Sequence, residues 1–203
     1  MQNKKGKKLL IGVTGGIGSG KSLACEYFER LGCEIYYADD IAKELYRSSD
    51  KLKKELVKQF GIGILVDKKN ISFPEFRKIV FSSDTNQKRV NNIVHPFVIS
   101  EILKRAEDYP GKLVVIEAAL IFESGFNKYL DYTIVVYSSV KNRIARVRKR
   151  NDLSVKDIKS IMNLQMPEDE KTAKADFVIK NDSTPQELQK KVNFIFSVLN
   201  NLN

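Results

Sequence analysis

Gly15-Gly16-Ile17-Gly18-Ser19-Gly20-Lys21-Ser22 sets glycines, a lysine and a hydroxyl at the G-x-x-x-x-G-K-[ST] spacing without a mismatch. The residue types dictate the chemistry. Glycines let the backbone wrap closely enough for its N–H groups to point at phosphate oxygens, and a helix starting at Lys21 adds the positive end of its dipole. Lys21 is expected to reach the β- and γ-phosphates of ATP, and the Ser22 hydroxyl to take a position on Mg²⁺. The nucleotide-binding run is read as extending through Leu23. The rival dinucleotide spacing G-x-G-x-x-G fails, because starting from Gly16 and Gly18 its last position is Lys21. That argues against a nicotinamide or flavin enzyme.

Three further groups could serve phosphoryl transfer. Asp39 follows the second apolar run, where a carboxylate can take the proton of an acceptor hydroxyl or order the Mg²⁺ shell. The alternative reading for Asp39, and more so for Asp40, is a helix N-cap for the segment starting at Ile41. Glu117 ends another apolar run and could act as an acid on Mg²⁺. Lys141, Arg143, Arg146, Arg148, Lys149 and Arg150 form a basic cluster whose arginines could spread over the transferring phosphoryl group and screen it from water. No aromatic residue falls within 141–152 to stack a base, which argues against a nucleic-acid surface there. His95, the sole histidine, reads from the sequence alone as a helix-start or packing residue.

The elements that must position these groups alternate between strand and helix, as in an α/β fold with a parallel sheet. Strands are expected at 9–14, 34–37, 112–117, 132–137 and 177–179, giving five parallel strands with helices on both faces. A helix is expected from about Lys21 to Leu31, stopped at Gly32, and another from about Thr184 to Leu199 with Pro185 in its first turn. Between Ile41 and Tyr109 the chain is charged and helical, with amphipathic segments near 41–60, 73–82 and 86–107. The layout is a core at 1–40 and 110–203, a lid at about 141–165, and an acceptor-binding insertion at 41–109.

Composition bounds the class. The 203 residues are 42% apolar and carry a net charge of +10. That charge suits a polyanionic ligand, whether nucleic acid, anionic lipid or a phosphorylated small molecule. The longest apolar runs are far shorter than the ~20 residues of a membrane helix. The lysine-rich start is not followed by a signal-peptide core, and Cys25 and Cys33 are read as reduced thiols of a cytoplasmic protein. The GTPase base-reading segment is approached only by Asn127-Lys128-Tyr129-Leu130-Asp131, one residue too long and placed before a strand. Its D-x-x-G partner appears only as Asp108-Tyr109-Pro110-Gly111, also before a strand.

Gly12 to Ser22, then Leu31-Gly32 and Ala38-Asp39, closely resemble the opening of the dephospho-CoA kinase family. The likeness continues through His95-Pro96, Leu120-Ile121-Phe122-Glu123, Arg146, Arg150, Gln165, Ala175-Asp176 and Asn181, in the same order along nearly the whole chain. Departures are Tyr37, Leu23, Phe73 and Ala119, where the family usually has an acid, Thr, Arg and Pro. The resemblance implies transfer of the ATP γ-phosphoryl group to the ribose 3′-hydroxyl of dephospho-CoA, with Mg²⁺. It also implies Asp39 as base, Lys21 and Ser22 on phosphate and metal, Arg146 on the ATP side of the lid, and His95 and Glu123 on the acceptor side. A monomer or small homo-oligomer without membrane or nucleic-acid partners is expected. The alternatives are a nucleoside or nucleotide kinase of the same fold, and a P-loop switch or nucleic-acid-binding ATPase, for which the charge is the only support.

Overall fold

Strands β1 (Leu9–Thr14), β3 (Leu113–Glu117) and β4 (Tyr132–Tyr137) are nearly continuous runs of Val, Ile and Leu. Such runs belong to parallel strands covered by helices on both faces. In a computed structural model describing residues 8–67, 70–80, 82–150 and 153–202, these three form the buried centre of a five-stranded parallel sheet. Its strand order is β2-β3-β1-β4-β5. The edge strands β2 (Glu34–Tyr37) and β5 (Phe177–Lys180) are shorter and less buried. No helix among the described residues is long and apolar enough to cross a membrane.

Register sets the chemistry. Val13 lies level with Glu117, and Thr14 with Val135, so the Glu117 carboxylate stands at the same end of the sheet as the turn leaving β1. In open parallel sheets, ligands bind at this carboxyl end, where the order of strands reverses around the first one. Helix α1 (Lys21–Arg30) starts there and buries Ala24, Cys25, Tyr27 and Phe28; Gly32 follows it at φ +89. Helix α9 (Pro185–Asn201) is capped by Thr184, whose hydroxyl accepts from the Glu187 N–H at 3.3 Å.

The chain divides into two compact units, Met1–Tyr36 with Tyr109–Asn203, and Tyr37–Asp108. In the second, the segment expected near 41–60 is two helices, α2 (Ala38–Ser48) and α3 (Asp50–Phe60). Ser49 interrupts them with extended backbone, and its hydroxyl accepts from the Leu52 N–H. Helix α4 (Phe73–Val80) brings Phe76 edge-on to Tyr46 and Phe60. Helix α5 (Asp84–Asp108) buries Val90, Val94, Val98, Ile102 and Ala106 at four-residue spacing and carries Pro96 within it. In the first unit, α6 (Val140–Arg150), α7 (Val155–Asn163) and α8 (Glu168–Lys174) lie between β4 and β5. A Ser154–Asp157 capping box starts α7.

Candidate active site

The loop from Gly15 to Gly20 joins β1 to α1, and its sequence explains its path. Gly20 sits at φ +101 at the head of α1, and a Cβ there would run into the Asn181 amide, so only glycine suits the position. Helices α7 and α9 of this unit are capped by side chains, whereas α1 has no side-chain cap and no acid in its first turn. A helix start left this way presents N–H groups and positive potential to an anion.

Side chains from α6 and from the residue just past β5 hold the loop by its carbonyls. Asn181 Nδ2 donates to Ser19 O at 2.7 Å, and Arg146 Nη1 donates to Ser19 O at 3.1 Å and to Gly18 O at 3.4 Å. Arg146 is anchored in turn to Ser138 Oγ at 3.2 Å and Asn181 O at 2.6 Å. Arg143 Nε donates to Ile17 O at 2.9 Å, while the Ile17 N–H donates to Gln165 Oε1 at 3.0 Å. A cleft of about 130 Å³ lies beside the loop, lined by Ile17, Gly18, Gly20, Arg146, Val147 and Arg150.

Lys21, Ser22 and Glu117 converge at the start of α1. Ser22 Oγ donates to Glu117 Oε2 at 3.3 Å, and Lys21 Nζ stands 4.0 Å from Glu117 Oε1 and 3.5 Å from Gly16 O. A hydroxyl and a carboxylate facing each other are hard oxygen donors, the set that Mg²⁺ takes together with nucleotide phosphates. Among the described residues no group of three or more His, Cys, Asp or Glu could hold a metal by itself. Cys25, on the same helix, is buried, and burial first, then the Glu117 charge, raise its thiol pKa.

The remaining expected site residues are placed as follows. Asp39 lies inside the first turn of α2, exposed, with Tyr37 as the cap position, so it is not an N-cap. Asp40 pairs with Lys43 at 2.7 Å. His95 is half-buried on α5. Glu123, in the loop after β3, accepts from the Met166 N–H at 2.8 Å and faces the fully buried Lys171 at 3.5 Å. Leu23 is half-buried in the first turn of α1.

Within the basic cluster, Arg143 is buried while Arg148, Lys149 and Arg150 are exposed. Glu168 and Lys171 had no assigned role from the sequence, Arg143 was read only as one of the cluster that could spread over the phosphoryl group, and Gln165 and Asn181 entered only through the family likeness. One signal was present for Arg143: it stands four residues before Val147, on the buried stripe of α6.

The dephospho-CoA kinase family model matches residues 9–187. A dephospho-CoA kinase of Chlorobium luteolum is 34% identical over 202 residues, covering 94% of this chain and 90% of the relative. That of Nitrosomonas europaea is 36% identical over 185 residues, covering 91% of each. The solved dephospho-CoA kinase of Campylobacter jejuni superposes with a TM-score of 0.69 at 27% identity, covering 94% of this chain and 96% of that one.

Proposed function

The chain belongs to the dephospho-CoA kinase family, and from that premise we propose how its own residues divide the reaction. The family phosphorylates dephospho-CoA at the expense of ATP, on the ribose 3′-hydroxyl, and so completes coenzyme A. The observation that carries the assignment of roles is the convergence of Lys21, Ser22 and Glu117 at an uncapped helix start. The backbone of Gly15–Gly20 cradles the phosphates, Lys21 tracks the β- and γ-phosphates, and Ser22 and Glu117 are the residues that would hold Mg²⁺. When bound, the metal neutralises the charge on the phosphate oxygens.

Asp39, carried over from the family likeness, takes the proton of the 3′-hydroxyl and orients that oxygen for attack. Arg146 and Arg150 line the cleft beside the loop and serve the ATP side. Since Glu123 Oε1 is committed to Met166 and Lys171, its acceptor-side contact falls to Oε2. His95 and the helical unit Tyr37–Asp108 receive the acceptor. The protein works in the cytoplasm as a monomer or small homo-oligomer.

The test is ADP release from Mg-ATP with and without dephospho-CoA, with the product's mass recorded. Stimulation by dephospho-CoA and a product of coenzyme A mass are expected. ADP release indifferent to dephospho-CoA but stimulated by a nucleoside would replace the acceptor and retain the loop chemistry.

A further inference from the structure

Both backbone groups of Ile17, within the phosphate loop, are held by side chains of the α6–α8 region: its N–H by Gln165 and its carbonyl by Arg143. Arg143 is an unusual holder. Its side chain is 4% exposed, and its Nη1 lies 3.3 Å from Glu168 Oε1. Glu168 Oε2 is buried without a hydrogen-bond partner, so that carboxylate leans on Arg143. A buried ion pair of this kind is a poor source of stability, because desolvation offsets most of its attraction. Replacing it by uncharged groups is often neutral, which leaves its geometry to be explained by something else.

We infer that Arg143 is a positioning residue for the phosphate loop, fixing the Ile17–Gly18 peptide so that the Gly18 N–H faces the phosphates. In a trans peptide the carbonyl and the N–H point in opposite directions, and the described chain has no cis bonds. Drawing the Ile17 carbonyl toward Arg143 therefore turns the Gly18 N–H away from α6, into the concavity that the loop encloses. Gly16 seals the arrangement: a Cβ there would collide with the Arg143 guanidinium and lie 2.5 Å from Glu168 Oε1. The inference rests on the loop holding ATP phosphates, as the family reaction requires. Arg143 itself touches no reacting atom in it.

Two variants separate positioning from mere clasping. Arg143→Met together with Glu168→Gln removes the donor and the orphaned charge at once, keeping an unbranched apolar stem at 143 and the shape of the side chain at 168. Its melting temperature is expected within a few degrees of the parent. The KM for ATP should rise roughly tenfold, the loss of about one charge-assisted contact, while the KM for dephospho-CoA and the affinity for adenosine, which has no phosphates, stay within about twofold. Parent-like KM for ATP in the double variant would overturn the proposal, and so would equal weakening of ATP and adenosine. Should the double variant melt early, Arg143→Lys keeps the charge facing Glu168 and gives up the planar fork. A parent-like melting temperature with a raised KM for ATP supports positioning; a parent-like KM for ATP sinks it.

Discussion

Asp39 stands exposed in the first turn of α2, where two carboxylates in succession complement the helix dipole. Asp40 is already engaged by Lys43, and the base proposed above is its neighbour Asp39. Asp39→Asn keeps the shape and removes the basic oxygen. A fall in kcat of about 10²- to 10⁴-fold is expected, with the KM for ATP nearly unchanged. Steady-state kinetics with ATP binding measured by calorimetry checks this, and a kcat within tenfold of the parent would remove Asp39 from the base role. Glu117→Gln acts on the other side of the reaction. By taking a negative charge from the Ser22–Glu117 pair it should raise the Mg²⁺ concentration needed for half-maximal turnover by about tenfold at saturating ATP. An unchanged Mg²⁺ titration would leave Glu117 as an orienter of Ser22 and Lys21 only. The residue types in the loop were legible at once because their chemistry requires contiguous spacing. Arg143 was hidden among neighbours of the same charge, since only its place on the α6 stripe distinguishes it from Arg148 or Arg150.

At the scale of elements, the bounds of β1 and β4 could be read directly, because buried parallel strands are nearly unbroken apolar runs between turn residues. The break between α2 and α3 could not. Ser49 sits in a charged amphipathic stretch with no glycine or proline, and only its hydroxyl on the Leu52 N–H marks the new start. Helix α6 carries the loop-holding arginines, and its start depends on a residue from another element. Asp182, just past β5, accepts from the Ser139 N–H, Ser138 Oγ and Asn142 Nδ2 at 2.8–2.9 Å. The Ser139 N–H foremost, then the Ser138 and Asn142 side chains, hold its carboxyl down at about 2. A depressed carboxyl stabilises the fold above its unfolded value near 4. That contribution is lost as pH falls from about 4 toward 2. Asp182→Ala is expected to cost about 1 kcal/mol at neutral pH, as for a lost helix cap, with solvent exposure holding it near the low end. For a chain of this size that is about 2–4 °C in melting temperature. The gap to the parent should close below pH 3, and a gap that persists unchanged at acid pH would show that the carboxylate charge is not what secures α6.

Across the whole molecule, the net charge of +10 meets a reaction whose two substrates are both polyanions. Part of the excess lies at Lys4, Lys5 and Lys7, outside the described residues. Another part is the exposed run Arg148, Lys149 and Arg150, whose last member borders the cleft beside the phosphate loop. Charge at such a rim attracts phosphates over roughly a Debye length and raises the encounter rate more than it lowers the chemical barrier. The effect should therefore appear in kcat/KM and not in kcat. Raising salt from about 0.05 M to about 0.3 M is expected to lower kcat/KM for ATP and for dephospho-CoA several-fold, with kcat almost level. Replacing Arg148 and Lys149 by Gln should flatten that dependence for ATP and leave it for dephospho-CoA. A random oligonucleotide discriminates the competing use of the same charge: a nucleic-acid-binding ATPase would bind it with a steep salt slope and release ADP in response. A kinase would show at most competition at low salt that vanishes near physiological ionic strength. A kcat/KM insensitive to salt would mean that the positive excess lies where neither substrate approaches, and that its reason must be sought away from the reaction.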